Sequence, residues 1–306
     1  MRALIVTNMY PSERDPARGS FVRDQIAALR RHQDLELELF AFESGGASAY
    51  ARAAAELRRR YRRARFDVVH AHFGLTLWPS LAGRGAARAV TLHGTDLVDP
   101  RSRAITLAGL PLVDLVAPVS EQLARLVPRR LVRGRLAVVP CGVDTTRFRP
   151  IERAIARREL RLPESGSYVL FPADPARPEK RYDRALAVAE GARMLTLGRV
   201  APEQVPLWVN AANAVLITSE RESLGLAVLE ALACEVPVLA TPVGLAPELL
   251  RGLDGCYCGE FEPQAWRAAL APLLAEERRV SGRARAEAYS SERMAQRLLA
   301  EWRSLG

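Results

Sequence analysis

Ser219-Glu220-Arg221-Glu222-Ser223-Leu224-Gly225-Leu226-Ala227-Val228-Leu229-Glu230-Ala231-Leu232-Ala233-Cys234 is the stretch on which the reading of this chain turns. Before it runs Ala214-Val215-Leu216-Ile217-Thr218, a short apolar run that reads as a buried strand. After it comes Val236-Pro237-Val238-Leu239-Ala240-Thr241, which reads as the next strand. Strand, turn, helix, strand predicts a parallel sheet and an α/β fold. In such sheets ligands bind beyond the carboxyl ends of the strands, and a helix N-terminus offers unpaired N–H groups to an anion. Glu222, Ser223, Leu224 and Gly225 fall at that spot. Gly225 carries no side chain to obstruct a close approach.

Two carboxylates stand out in the stretch. Were the segment helical throughout, Glu230 would lie ~80° around the axis from Glu222. The two acids would then meet different parts of a long ligand, and carboxylates accept hydrogen bonds from sugar hydroxyls. The helix is apolar nearly everywhere except at Glu230, and a buried lone Glu is costly unless partnered. The plainer alternative makes Glu222 a favourable N-terminal charge and Glu230 a partly solvated helix residue. These residues alone leave both readings open.

Other segments carry further pattern. They are Asp67-Val68-Val69-His70-Ala71-His72, Val90-Thr91-Leu92-His93-Gly94-Thr95-Asp96, Pro140-Cys141-Gly142-Val143-Asp144 and Arg177-Pro178-Glu179-Lys180. Taken in order with Ser219…Glu222…Glu230…Pro237-Val238, they resemble the retaining glycosyltransferases of family 4, which have the GT-B fold. Within that family the variants Pro-Cys-Gly-Val-Asp and Arg-Pro-Glu-Lys are most similar to cell-surface polysaccharide and teichuronic-acid-type enzymes. The chain departs from the family pattern at Ser223 and Leu224, which stand for Gly-Phe, at Glu235, which stands for Gly, and at Gly19, which stands for a glycine pair.

The resemblance implies two Rossmann-like parallel-sheet domains facing a cleft, the second of them compact and short of one strand–helix unit. The boundaries expected are 1–150 for the acceptor side and 151–288 for the nucleotide-sugar side. Residues 289–306 form a helix that crosses back to the first domain. It also implies sugar transfer from a UDP- or GDP-sugar to a glycan or lipid-linked acceptor, with retained configuration. On that reading Arg177 and Lys180 neutralise the donor diphosphate, assisted by backbone N–H groups at Ser223, Leu224 and Gly225. Glu222 binds the transferred sugar, Glu230 the ribose, and His93 orients the sugar or shares developing charge. Gly19 and Ser20 belong to the loop on the acceptor side. No cofactor and no metal are expected, since no Asp-x-Asp motif is present.

Composition bounds the rest. The chain has 306 residues, enough for two domains, and 49% apolar residues, enough for two cores. Of 44 Lys and Arg residues only Lys180 is lysine. Composition has drifted toward arginine, so a surviving lysine suits a task for a compact ammonium, such as meeting a phosphate as a point charge. Chance survival is the alternative. No apolar run reaches the ~18 residues that span a bilayer, and the start reads as a first strand, not a leader. Cys141, Cys234, Cys256 and Cys258 show no metal-ligand spacing and fit reduced thiols in the cytoplasm.

Net charge is +9, with arginine clusters at 58–65 and 129–135. Either cluster is a solvated face, or it meets an anionic membrane surface or acceptor peripherally. Aromatic content of 6%, with no stacking or helix-turn-helix pattern beside the clusters, argues against nucleic acid. An oxidoreductase is disfavoured because no Gly-x-Gly-x-x-Gly follows the first strand. The alternatives are another enzyme on the same fold, such as an epimerase or phosphorylase, and a catalytically degenerate subunit that binds and activates a partner transferase.

Overall fold

A computed structural model describes residues 1–12, 18–198 and 200–306. Residues 13–17, in the polar run between the first strand and Gly19, lie outside the described residues. The chain divides into one unit of Met1–Gly142 with Ser291–Gly306 and another of Val143–Ser290. The division falls at 142/143 because Val143 pairs with Ser290 and Phe148 is buried in the core of the second unit.

The first unit is a six-stranded parallel sheet built from β1 (Arg2–Thr7), β2 (Glu36–Ala41), β3 (Phe66–His72), β4 (Gly85–Leu92), β5 (Leu115–Pro118) and β6 (Arg135–Leu136), in the order β2-β1-β3-β4-β5-β6. A parallel sheet is covered on both faces, so its strands read as unbroken apolar runs. Ala3, Leu4, Ile5 and Val6 are all fully buried. Ala3 and Ile5 face the helices Ser20–Leu29 and Ser291–Arg303, which contribute Ile26, Leu29, Leu298 and Trp302. Leu4 and Val6 face Ala53 and Leu57 of the helix Ala47–Arg60. Each buried Val, Leu or Ile among them contributes about 1.5–3 kcal/mol by leaving water.

The apolar run Ala137-Val138-Val139 reads in the sequence as a strand, but the strand found there is shorter and earlier, at Arg135–Leu136. The N–H groups of Ala137 and Val139 still donate to Val116 and Pro118. The prolines at 118 and 140 supply no donor, so the ladder stops there.

The second unit is a five-stranded parallel sheet. It comprises β7 (Tyr168–Phe171), β8 (Arg193–Thr196), β9 (Ala214–Ile217), β10 (Val238–Ala240) and β11 (Tyr257–Cys258), in the order β11-β10-β9-β7-β8. Period-two alternation is visible along β9. Val215 and Ile217 pack with Leu229 and Leu232 of the helix Leu226–Ala233, whereas Ala214 and Leu216 pack with Trp266 and Leu270 on the opposite face. The helix Leu226–Ala233 ends in a Schellman motif. The N–H of Val236 donates to Ala231 and that of Glu235 to Leu232, which leaves Glu235 left-handed at φ 58°. A glycine is the unstrained residue at such a position, which accounts for the departure noted at 235.

Candidate active site

Strand order reverses between β7 and β9 in the second unit, so the loops after these two strands diverge and leave a crevice at the carboxyl edge. Both loops are stitched together across it. Thr218 Oγ1 donates to the carbonyls of Lys180 and Arg181, and the N–H of Glu220 donates to the carbonyl of Glu179. Arg181, left-handed at φ 56°, spans Asp183 and Glu220 with its guanidinium.

This stitching places Lys180 against Glu222. Lys180 Nζ donates to Glu222 Oε1 at 2.6 Å, and Ser219 Oγ donates to the same oxygen at 2.7 Å. The pair is largely screened, with 16% and 15% of the two side chains exposed. Glu222 Oε2 receives no donor among the described residues and is not a buried atom.

The helix begins at Leu226, so Glu222 sits in the preceding turn and the helical angle between the two acids does not apply. The N–H groups of Ser223, Leu224, Gly225, Leu226 and Ala227 meet no acceptor among the described residues. Gly225 is left-handed at φ 92°, and a Cβ there would meet nothing nearer than 3.7 Å. Backbone angle, rather than space within the protein, demands glycine. The turn is pinned from the far side by the N–H of Leu245, which donates to Leu224 O. Gly244 allows that approach, since a Cβ on it would fall 2.4 Å from the same carbonyl oxygen. Leu226, Ala227 and Glu230 are the half-buried positions of the helix, at spacings that share one face. Glu230 is therefore on its open stripe, beside the unpaired N–H groups. Arg177 is more exposed and is held by Glu179 at 2.6 Å.

In the first unit the carboxyl edge carries a column of imidazoles. His70 and His72 alternate to one face of β3, and His93 follows β4. Ring centroids lie 5.0 Å apart for His70–His72 and 5.3 Å for His72–His93, both stacked. Phe21 covers His93 at 5.0 Å. Gly19 and Ser20 thus start the helix whose first turn reaches His93. Gly19, left-handed at φ 65°, packs backbone to backbone on Met9, where a Cβ would fall 2.3 Å from the carbonyl oxygen.

Polar contacts run through the column. Trp302 Nε1 donates to His70 Nδ1 at 2.8 Å, and His70 Nε2 meets Thr91 Oγ1 at 2.7 Å. Gln25 Nε2 lies 3.4 Å from His72 Nε2, His72 Nδ1 lies 3.1 Å from His93 Nε2, and His93 Nδ1 lies 4.0 Å from Cys141 Sγ. Burial holds all three imidazoles neutral. His72 is pushed down to about 3, and His70 and His93 lie well below the ordinary value, helped by their neighbours in the stack. Burial also pushes the Cys141 thiol up to about 12.

Asp96, fully buried, accepts from the N–H groups of His93, Gly94 and Gly74 at 3.0, 2.7 and 3.2 Å. Burial raises its carboxyl, although those N–H groups pull the other way. It fastens the backbone that carries His93.

The second unit brings Lys180, Glu222, Ser223, Leu224, Gly225 and Glu230 to one crevice, with Arg177 at its exposed margin. In the first unit Gly19 and Ser20 begin the helix whose Phe21 packs on His93. Motif reading had quoted His72, Asp96 and Ser219 without giving them a role, and had not singled out Gln25 or Phe21. Two signals were available. His70 and His72 share a strand face by their spacing, and Gln25 is the polar member of a buried helix face one turn after Phe21. Among the described residues no group of three or more His, Cys, Asp or Glu side chains is placed to hold a metal ion, and no helix is long and apolar enough to cross a membrane.

Comparison with known proteins adds independent findings. The model of Glycosyltransferase Family 4 matches residues 8–147, and that of Glycosyl transferases group 1 matches residues 160–293. The chain is similar to a D-inositol 3-phosphate glycosyltransferase of Segniliparus rotundus, 29% identical over 299 residues, covering 78% of this chain and 66% of that protein. It is similar to the protein of the same name from Rhodococcus jostii, 27% identical over 353 residues, covering 94% of this chain and 76% of that one. The chain thus spans about two thirds to three quarters of the length of these relatives.

Its fold is similar to sucrose-phosphate synthase from Thermosynechococcus elongatus, with TM-score 0.78, 19% identity and coverage of 100% and 99% of the two chains. It is also similar to Anabaena HepE in complex with UDP-glucose, with TM-score 0.71, 15% identity and coverage of 99% of each chain. At such identities the likeness shows the fold, α/β of the GT-B class.

Proposed function

The chain belongs to glycosyltransferase family 4, and from that premise we propose that it moves a sugar from a nucleoside-diphosphate sugar to an acceptor, with retained configuration and without a metal. The observation that carries this reading is the Lys180–Glu222 pair at the switch point of the second sheet, beside five unpaired N–H groups. A diphosphate there meets the N–H groups of Ser223, Leu224 and Gly225 and draws the Lys180 ammonium toward the charge that grows on the leaving group. Preorganised donors of this kind act where charge develops in the transition state. Glu222 keeps Oε2 free for a sugar hydroxyl, and Glu230 meets the ribose from the open stripe of its helix. Arg177 exchanges Glu179 for the outer phosphate. The leaving phosphate takes the acceptor proton, so no further carboxylate is required.

The UDP-glucose held by Anabaena HepE favours UDP over GDP in the donor. The acceptor is anionic on this reading, as in the D-inositol 3-phosphate of the relatives' name or in a lipid-linked glycan of polysaccharide synthesis. Exposed Arg58, Arg59, Arg60, Arg62, Arg63 and Arg65 supply an attractive field on the first unit, suited to peripheral attachment at the cytoplasmic face of a membrane.

The test is slow donor hydrolysis with EDTA present, across UDP-, GDP-, ADP- and dTDP-sugars, with Lys180→Ala and Glu222→Ala alongside. Release of one nucleoside diphosphate that both variants abolish supports the reading. Absence of release and of any thermal shift sinks it in favour of a degenerate subunit that activates a partner.

A further inference from the structure

The imidazole column lies outside the donor chemistry argued above, apart from His93. Burying three histidines and a glutamine is costly unless each polar atom is satisfied, and aliphatic side chains would fill the same space without that cost. His70 is accounted for by its contacts. Trp302 donates to its Nδ1, so its Nε2 carries the proton toward Thr91 Oγ1. The second row is different because it ends on a residue assigned to the site.

Gln25 is 4% exposed and presents its amide nitrogen to His72 Nε2 at 3.4 Å. A nitrogen that receives a donor is unprotonated in neutral imidazole, so the proton of His72 sits on Nδ1. That N–H faces His93 Nε2 at 3.1 Å and donates to it. By the same logic the proton of His93 sits on Nδ1, and among the described residues that N–H meets only Cys141 Sγ, at 4.0 Å. Phe21 packs against the His93 ring, with centroids 5.0 Å apart.

We propose that His72, oriented by Gln25, is a positioning residue that fixes His93 as the Nδ1–H tautomer, so that His93 offers a neutral hydrogen-bond donor, and no acceptor, at the carboxyl edge of the first sheet. The consequence for turnover rests on the transferase reading of the previous section; the tautomer itself does not. A donor frozen in place costs nothing to reorganise when oxygen charge develops nearby.

The experiment uses the full chain labelled with 15N in histidine. Long-range 1H–15N spectra at pH 8 read each tautomer, and steady-state kinetics with the donor found by hydrolysis read kcat and KM. The expected result is Nδ1–H for His72 and His93 and Nε2–H for His70. In His72→Phe the stack is kept but the donor is lost, so His93 shifts toward Nε2–H. Its kcat then falls about 10- to 100-fold, the scale typical of outer-layer hydrogen-bond partners, with KM for the donor little changed. His72→Asn keeps an N–H near the Nδ1 position and restores both the tautomer and most of kcat.

Should His72→Phe fail to fold, Gln25→Leu releases His72 Nε2 without emptying the column and shifts the same resonances. The proposal is overturned by Nε2–H on His93 in the unaltered chain, by an Nδ1–H that survives both His72→Phe and Gln25→Leu, or by His72→Asn behaving as His72→Phe. Should no donor be turned over, the transferase reading fails while the spectra still decide the tautomer.

Discussion

At the carboxyl edge of the first sheet the three stacked imidazoles are held neutral by burial. His70 and His72 are fully buried, His70 against Trp302, and Asp96 is spent on three backbone N–H groups. At the corresponding edge of the second sheet the polar groups are charged and stand at the rim, Lys180 on Glu222 and Arg181 on Asp183 and Glu220. All four histidines of the chain lie within residues 1–142, and the lone lysine lies in the other unit. The same doubly wound scaffold thus supports two kinds of polar site. One depends on protons fixed in a dry column, where orientation is the product. The other depends on ions that can exchange partners, where charge is the product.

The largest effect expected is on the charged side of this contrast. Lys180→Ala lowers kcat/KM for the donor about 10²–10³-fold, the usual consequence of removing one preorganised donor. Lys180→Arg does not restore it, because the planar fork cannot stand in for a compact ammonium against Glu222. Steady-state kinetics read both variants, and full activity in Lys180→Arg would remove the special status of the lysine.

Acid separates the two units next. The folded first unit holds His70, His72 and His93 below the value of 6.5 they have when unfolded, with His72 at about 3. As pH falls below 6.5 the unfolded chain takes up protons that the folded unit refuses. Stability is therefore complete above 6.5 and falls toward acid, by up to about 1.4 kcal/mol per pH unit for each histidine. Between pH 6.5 and 5, above the range of ordinary carboxylates, hydrogen exchange resolved by residue should show the first unit loosening while the second does not. Equal slopes in both would break the comparison.

Asp96→Ala tests the sealed side directly. Three N–H groups lose a buried carboxylate acceptor, which costs about 2–3 kcal/mol after allowance for the raised carboxyl. Urea unfolding measures the loss, and His93 loses its backbone anchor in the same variant. The smallest effect is favourable. Glu235→Gly relieves a left-handed residue and stabilises the second unit by about 1 kcal/mol. The Val280 N–H that donates to the carbonyl of residue 235 is untouched, and a thermal melt reads the gain.

Much of this arrangement was legible along the chain. Apolar runs of four to six residues separated by turn and helix patterns give parallel α/β layers, because burial on both faces leaves no alternation of polar residues within the strands. The turn at Glu222–Gly225 and the helix that follows are local, so their placement at a sheet edge followed from strand–turn–helix order. The angle drawn between Glu222 and Glu230 did not carry over, because the helix starts four residues after Glu222. The strand at 135–136 was displaced by two prolines whose missing donors matter only once the neighbouring strand is known. Asp96 stood in a quoted motif, yet its task was invisible until Gly74 was seen to reach it from another strand's loop.

The amino-acid sequence by itself determined the layers, the order of the motifs and the identity of the chemical groups at the strand ends. Periodicity, glycine and proline act over a few residues, and that range suffices for those features. Tertiary structure alone decided which groups share protons and charge. Lys180 meets Glu222 across 42 residues, Gln25 meets His72 across 47, and Trp302 meets His70 across 232. Such partners are chosen by the packing of whole elements, since a hydrogen bond needs its two atoms within about 3 Å and no local propensity reports on that distance.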